Sequence, residues 1–295
     1  MFQILRRLID YFQCLLSLVS PVINTKFAYW RIFKKPLNVN APRTFKEKLC
    51  VLKIKRYIKD PLVTKCADKF AVREYIKEKG CEEVLIPLLG VYDNIRDIKW
   101  EELPKSFVLK WNFGCGYNII CRDKELFNVD ETIITFDNWE REKSYLLFSE
   151  MHYSMAPKKV IIEQYLDSKN GHFPDDYKVY CFNGEPQVIL YICNRGTDDL
   201  SAAFFDMEWN FVGSTGKACY KDFKHLPSAP TCLEQIINVS RNLSAPFEFV
   251  RMDYYVIDDL LYFGEMTFTP AGCMFVSECQ VNGKSMGQLL DISRL

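Results

Sequence analysis

The chain has 295 residues, and 38 Lys and Arg balance 38 Asp and Glu. That length supports one large domain or two modest ones around a real core, and an apolar fraction of 48% excludes global disorder. A balanced charge argues against broad nucleic-acid affinity, which needs clustered Lys and Arg to neutralise phosphates, so no nucleic-acid partner is expected.

Residues 1–60 read as helical and basic. Within them residues 11–19 form an apolar run that follows Arg6 and Arg7 and stops near Pro21. It is too short to span a bilayer. No small-x-small cleavage site follows cleanly, so a signal peptide is not indicated. The preferred reading is a helix packed on the body of the protein. The alternative is a helix lying on the inner face of a membrane, with Lys26, Arg31, Lys34 and Lys35 supplying positive charge.

Asp60-Pro61 interrupts the helical stretch. Apolar spacing at Leu62, Val63, Cys66, Ala67 and Phe70 then predicts one helix to about Lys79, closed by Gly80. Residues 84–91, with Pro87 inside, read as a short edge strand. Residues 106–111 and 118–121 read as a hairpin pair, 132–153 as helix and 159–165 as strand. Residues 177–182 and 187–194 predict a hairpin around Asn183-Gly184, a dipeptide suited to positive φ. Residues 200–205 and 209–212 continue the sheet, and 230–243 read as helix. Residues 247–256 and 260–267 make a last hairpin through Asp258-Asp259. Helices come first, then strands with intercalated helices, which is an α+β pattern and not alternating βαβ units.

Several chemistries lack their signatures. The twelve cysteines form no C-x-x-C pair and only His152, His172 and His225 accompany them, so a zinc site is not expected. They read as reduced, mostly buried thiols, which points to the cytoplasm. The stretches 213–218 and 283–285 mimic phosphate loops, but Phe211 and Glu278 stand where the first loop glycine belongs. No G-x-S-x-G elbow and no H-E-x-x-H occur.

Three constellations survive. Arg251-Met252-Asp253 and Gly264-Glu265-Met266-Thr267 lie on strands joined by a tight turn, so Asp253 and Glu265 can come close. Two carboxylates in an apolar setting repel and desolvate expensively, and a divalent cation would resolve the conflict. Arg251 shares their strand face and suits a phosphate or an oxyanion. A purely structural Arg–carboxylate network would leave the same pattern. Next, Lys110 ends a strand and is followed by a turn with Gly114 and Gly116, an arrangement suited to phosphate contact, although Gly-x-Gly between strands is more often just a turn. Last, the apolar strand ending in Glu163-Gln164-Tyr165-Leu166 is suited to an adenine-binding hinge, although alone it reads equally as a plain strand terminus.

In order, these elements resemble the ATP-grasp superfamily, and within it the TupA-like branch associated with teichuronopeptide and bacterial surface-polysaccharide biosynthesis. The resemblance begins at Pro42-Arg43-Thr44-Phe45-Lys46-Glu47-Lys48. It runs through Ala67-Asp68-Lys69-Phe70-Ala71-Val72-Arg73-Glu74-Tyr75, Glu163-Gln164-Tyr165-Leu166, Asp176-Tyr177-Lys178 and Cys181-Phe182-Asn183-Gly184 to Arg251-Met252-Asp253 and the stretch from Gly264 to Pro270. It implies an ATP-grasp fold that holds a nucleotide between two α+β lobes, preceded by a helical extension. It implies residues 1–60 as that extension, 61–105 as a segment ahead of the clamp, 106–166 as the small lobe and 167–295 as the large lobe.

The same resemblance implies the roles. Lys69, in an Asp-Lys helix start, and Lys110 would bind nucleotide, and Gly114 and Gly116 would close over its phosphates. Glu163, Gln164, Tyr165 and Leu166 would form the hinge, with Glu163 and backbone groups reading adenine and ribose. Asp253, Glu265 and Thr267 would hold Mg2+, with Thr267 standing where the family usually has asparagine. Arg251 and Lys178 would act on phosphate or substrate. Other departures are Cys115 in the phosphate loop and one glycine fewer after Pro270. The activity implied is ATP-dependent amide formation between a uronic-acid-type carboxylate and an amine or amino acid. A sugar kinase on the same fold, and a non-catalytic partner of a glycosyltransferase, are the alternatives. Possible further partners implied are the inner membrane face and polysaccharide-assembly enzymes.

Overall fold

The computed structural model describes residues 2–168 and 173–295, so His172 lies outside the described residues. The chain opens with helices α1 (Phe2–Val19), α2 (Pro21–Phe33) and α3 (Phe45–Leu52). α3 starts where Thr44 accepts from the Glu47 amide and Glu47 accepts from the Thr44 amide, a reciprocal cap that satisfies two end donors.

The single helix expected over 62–79 is two: α4 (Pro61–Ala67) and α5 (Val72–Glu78). Apolar periodicity carries across the gap, but the Asp68 carboxylate takes the amides of Phe70 and Ala71 at 2.7 and 3.0 Å. A short side chain that bonds its own backbone competes with the helix ladder. Asp68 is therefore extended (φ −83°, ψ 118°), and Lys69 leaves the helix axis. α5 itself begins at Val72, three residues beyond Lys69, so Asp68 and Lys69 lie in the turn between the two helices.

Strands β1 (Leu88–Tyr92), β2 (Phe107–Trp111) and β3 (Asn118–Cys121) follow, then helix α6 (Val129–Arg141) and strand β4 (Val160–Gln164). These strands form one antiparallel sheet in the order β1-β4-β2-β3, with β1 at an edge just after Pro87. The helix expected over 132–153 stops at Arg141. Two short 3-10 turns replace its second half, and Ser149 adopts φ 57°, which a right-handed helix cannot include.

The second sheet is built from β5 (Asp176–Phe182), β6 (Glu185–Cys193), β7 (Ser201–Phe205) and β8 (Phe211–Ser214). After helix α7 (Leu233–Ser244) come β9 (Phe249–Ile257) and β10 (Leu260–Thr267). Its order is β10-β9-β5-β6-β7-β8, antiparallel throughout. Asn183 and Gly184 turn the β5–β6 hairpin at φ 51° and 84°, as expected.

Each sheet has its own core. Phe107, Leu109 and Trp111 of β2 and Val160 and Ile162 of β4 pack with Phe136 of α6. The larger core joins α3, α4, α5 and α7 to the six-stranded sheet. Residues 63–84 bury side chains in the larger core, and Ile95, Ile98 and Leu103 in the smaller. Because strand side chains alternate, sending Leu109 and Ile162 inward leaves Lys110 and Glu163 on the opposite face. All twelve cysteines are thiols and eight are buried.

Candidate active site

Lys110 and Glu163 meet across the β2–β4 pair. The Lys110 Nζ donates to Glu163 Oε2 at 2.6 Å, and Arg73 Nη1 approaches Oε1 at 3.3 Å. Arg73, on α5, also donates to the Ile86 carbonyl at 2.8 Å. The Glu163 carboxylate, expected to read adenine and ribose, is thus held between two cations. Arg73 lies in the stretch that carries the resemblance but has no role in the sequence reading, since nothing local to it signals a partner 90 residues away.

Lys110 and Glu163 line a cavity of about 270 Å³ between the two sheets. Gln164, Tyr165 and Leu166 form one wall, and Asp176 and Tyr255 face them from the six-stranded sheet with Arg195 in the turn after β6.

Lys69 sits beside this cleft because Asp68 breaks the helix ahead of it. Its Nζ donates to the Gly114 carbonyl at 2.6 Å and lies 3.2 Å from Glu265 Oε2. It therefore bridges the glycine turn and the last strand. Asn112, fully buried at the end of β2, donates to Asp68 at 2.6 Å and accepts from the Lys159 amide at 2.8 Å. Gly114 has φ 67°, and a Cβ there would stand 2.7 Å from the Tyr117 ring. Gly116, at φ 82°, has open space around it, and Cys115 between them is exposed.

The remaining residues share one face of the six-stranded sheet. Asp253 pairs in register with both Lys178 and Glu265, and Arg251 with Thr267. The Glu265 match depends on a bulge at Gly264, which shifts the register between Phe263 and Glu265. Without it Glu265 would point to the other face. A Cβ on Gly264 would lie 2.9 Å from the Asp253 carbonyl oxygen.

Arg251 clasps Asp253 through two bonds, Nε to Oδ1 at 2.6 Å and Nη2 to Oδ2 at 2.7 Å. Lys178 donates to Asp253 Oδ2 at 2.5 Å and to Asp176 Oδ1 at 3.2 Å. Arg195 also donates to Asp176. Thr267 Oγ1 donates to Glu265 Oε1 at 3.2 Å and accepts from Arg251. The run from Gly114 through Lys69, Glu265, Thr267, Arg251, Asp253 and Lys178 to Asp176 is continuous. Asp176 then joins it to the cavity of Lys110 and Glu163.

Electrostatics follow from this geometry. Burial alone would raise the Glu265 carboxyl, but Lys69, Arg251 and Lys178 outweigh it and pull it down to about 2. Burial disfavours the Lys178 and Arg251 charges, yet Asp253 raises both above their ordinary values. The repulsion expected between Asp253 and Glu265 is thus relieved by the chain's own cations.

Magnesium favours hard oxygens and often takes one or two carboxylates together with phosphate oxygens. Glu265 fits that demand. It keeps 29% of its side chain exposed, against 5% for Asp253, whose two oxygens are taken by Arg251 and Lys178. Among the described residues no group of three or more His, Cys, Asp or Glu is placed to hold a metal. The donor set is one accessible carboxylate, one occupied carboxylate and a hydroxyl, which fits an ion that brings phosphate oxygens with it.

Comparison with known proteins decides the family. A model described as TupA-like ATPgrasp matches residues 47–287. The chain belongs to the TupA-like ATP-grasp family. Its α+β architecture is accordingly the ATP-grasp fold, with helices ahead of it. No curated protein matches the chain. Among solved structures it is similar to the D-alanine–D-alanine ligase from Bacillus anthracis, at 17% identity, 69% of this chain, 57% of that chain and TM-score 0.42. It is also similar to the L-amino acid ligase from Bacillus licheniformis, at 13% identity, 80% of this chain, 51% of that chain and TM-score 0.44. The D-cycloserine synthetase DcsG is a third, at 15% identity, 81% of this chain, 74% of that chain and TM-score 0.44. This TupA-like chain spans little more than half the length of the first two.

Proposed function

We propose that the protein is an ATP- and magnesium-dependent carboxylate–amine ligase of the cytoplasm, joining an amine or amino acid to a uronic-acid-type carboxylate in surface-polysaccharide biosynthesis. One observation carries the reading. Lys110 and Glu163 line an inter-sheet cleft, and a bonded run of five more ionisable groups, Lys69, Glu265, Arg251, Asp253 and Lys178, links the glycine turn to that cleft through Asp176. The sugar-acid substrate rests on the branch of the family to which the chain belongs.

The roles follow from the contacts. Lys110 lies in the cleft with its ammonium held by Glu163, ready for an α- or β-phosphate. Backbone groups of Gln164, Tyr165 and Leu166 at the cavity wall read the adenine, and Glu163 acts by orienting Lys110 and Arg73. Lys69 exchanges its Glu265 partner for phosphate oxygens and keeps the Gly114 carbonyl. The turn of Gly114 and Gly116 offers amides to the same oxygens.

Magnesium would be held by Glu265 and Asp253, with Thr267 as a weaker hydroxyl donor, and it would neutralise the transferred phosphoryl group. Lys178 and Arg251 are placed to balance charge on the reacting carboxylate and on the oxyanion that follows. A substrate carboxylate oxygen attacks the γ-phosphorus and ADP leaves. The amine nitrogen then attacks the carbonyl carbon of the acyl phosphate, phosphate leaves, and the amine loses a proton. No side chain needs to become covalently attached.

Mass spectrometry after incubation with ATP, magnesium and a panel of uronates and amines tests this directly. An amide product with ADP and phosphate is expected. A phosphorylated sugar without amide would replace the ligase reading with a kinase.

A further inference from the structure

Helices α1 and α2 form an antiparallel hairpin, with Phe12 packed edge-on to Phe27 and Asp10 3.7 Å from Arg31. The α1 half turns polar residues to the body: Gln13 and Ser17, with Asn24 and Thr25 of α2, are at most 1% exposed, while the second half of α2 buries Ala28 and Tyr29 in the larger core. Gln13 Nε2 donates to the Leu147 carbonyl at 3.1 Å, Ser17 and Ser149 hydroxyls meet at 2.5 Å, and Asn24 Nδ2 donates to Ser149 Oγ at 3.0 Å. These bonds fix which face of the hairpin turns outward.

The outward face is apolar. Leu8, Tyr11, Leu15 and Leu18 recur at helical spacing along α1, and Ile23 and Trp30 extend the face along α2. Their exposure runs from 43% at Leu15 to 65% at Tyr11, and Val19 at the hairpin tip reaches 79%. Scattered apolar residues need no explanation, but a contiguous face of this kind marks a docking surface.

Charge selects the occupant. Residues 1–35 carry six Lys and Arg against one acidic residue, Asp10, which faces Arg31. Arg6, Arg7, Lys26, Lys34 and Lys35 are exposed. A second copy of the chain would bring like charges together at this face, whereas acidic headgroups would neutralise them. The exposed rings of Tyr11 and Trp30 are amphipathic side chains suited to a headgroup boundary. Among the described residues no helix is long and apolar enough to cross a membrane.

We propose that the α1–α2 hairpin docks on an anionic phospholipid bilayer, lying in its surface with the apolar face down and the basic residues among the headgroups. The body of the protein then stands on the membrane through the bonds of Gln13, Ser17 and Asn24. The inference does not depend on the ligase reading.

Co-sedimentation of the full chain with vesicles tests it. Vesicles of phosphatidylcholine with phosphatidylglycerol are expected to carry the protein down, more weakly as salt is raised, and phosphatidylcholine alone far less. The paired change Arg7→Gln and Lys35→Gln is expected to weaken binding about 30-fold, about fivefold for each charge near the surface. Leu15→Asp with Leu18→Asp is expected to abolish binding, with circular dichroism and melting confirming a folded chain. Failure to sediment with anionic vesicles would overturn the proposal. So would undiminished binding by both sets of variants. A dimer in solution that Leu15→Asp with Leu18→Asp dissociates, without vesicle binding, would instead make this face a self-interface and overturn it too.

Discussion

Glu265 is the residue on which the site's charge balance turns. Burial opposes its charge, and Lys69, Arg251 and Lys178 overcome that opposition, pulling its carboxyl from the model-compound 4.5 to about 2. A carboxyl lowered in the folded chain stabilises it above the unfolded value, and that contribution is lost as pH falls through the folded value. Glu265 should therefore stabilise the protein fully above about pH 5 and lose its effect between about pH 4.5 and pH 2. In Glu265→Gln this acid limb should flatten, and the melting-temperature gap between the two proteins should close as pH falls. At neutral pH the variant should cost about 1–3 kcal/mol, the penalty for leaving Lys69 and Arg251 short of a partner. Turnover should be abolished, and unchanged turnover would remove Glu265 from the reaction. Glu265 itself was legible in the sequence because a carboxylate pair on adjacent strands is an expensive arrangement. Its relief by Lys69 was not, since the two residues are far apart in the chain and only the folded cleft joins them.

At the scale of elements, two local irregularities aim the site. The β10 bulge at Gly264 puts Glu265 on the face of Asp253. A plain hairpin through Asp258-Asp259 would have set Gly264 opposite Asp253 and turned Glu265 away. The sequence contains that register mismatch, but alternation alone does not say which strand carries the extra residue. Gly264→Ala would push a Cβ to within 2.9 Å of the Asp253 carbonyl oxygen. It should destabilise by about 1–3 kcal/mol in denaturant melts and lower turnover through a displaced Glu265. The second irregularity is the break at Asp68. Asp68→Ala removes the cap of Phe70 and Ala71 and takes away one of the two acceptors of the buried Asn112 Nδ2, leaving the Pro157 carbonyl. A loss of about 2–4 kcal/mol is expected from cap and buried donor together, measured by the same melts. Apolar periodicity missed this break because Leu62, Cys66 and Phe70 keep helical spacing across it. The strands were read more closely, since β-branched and aromatic alternation bounded by Asn-Gly or a proline leaves little freedom.

For the whole molecule, the plan is two sheets with separate cores and a cleft between them, fronted by a hairpin whose α1 is attached by buried hydrogen bonds and whose α2 also sends Ala28 and Tyr29 into the larger core. The order of helices and strands was legible, and so was the apolar run in residues 11–19. The expectation that this run packs on the body holds for the helix but not for its apolar side. Hydrophobic spacing marks an apolar face without saying what covers it, and here Gln13, Ser17 and Asn24 decide which side faces the protein. Removing residues 1–20 should therefore leave nucleotide affinity within about twofold, because neither core nor the cleft draws side chains from them. Calorimetric titration of the truncated chain checks this. The clamp is tested most directly by thermal unfolding with and without Mg-ATP. A ligand at a hundred times its dissociation constant adds about 2.7 kcal/mol to folded-state stability. The wild-type chain should melt several degrees higher with Mg-ATP, and Lys110→Met should lose most of that rise. An unchanged melting temperature at saturating Mg-ATP would contradict the nucleotide clamp.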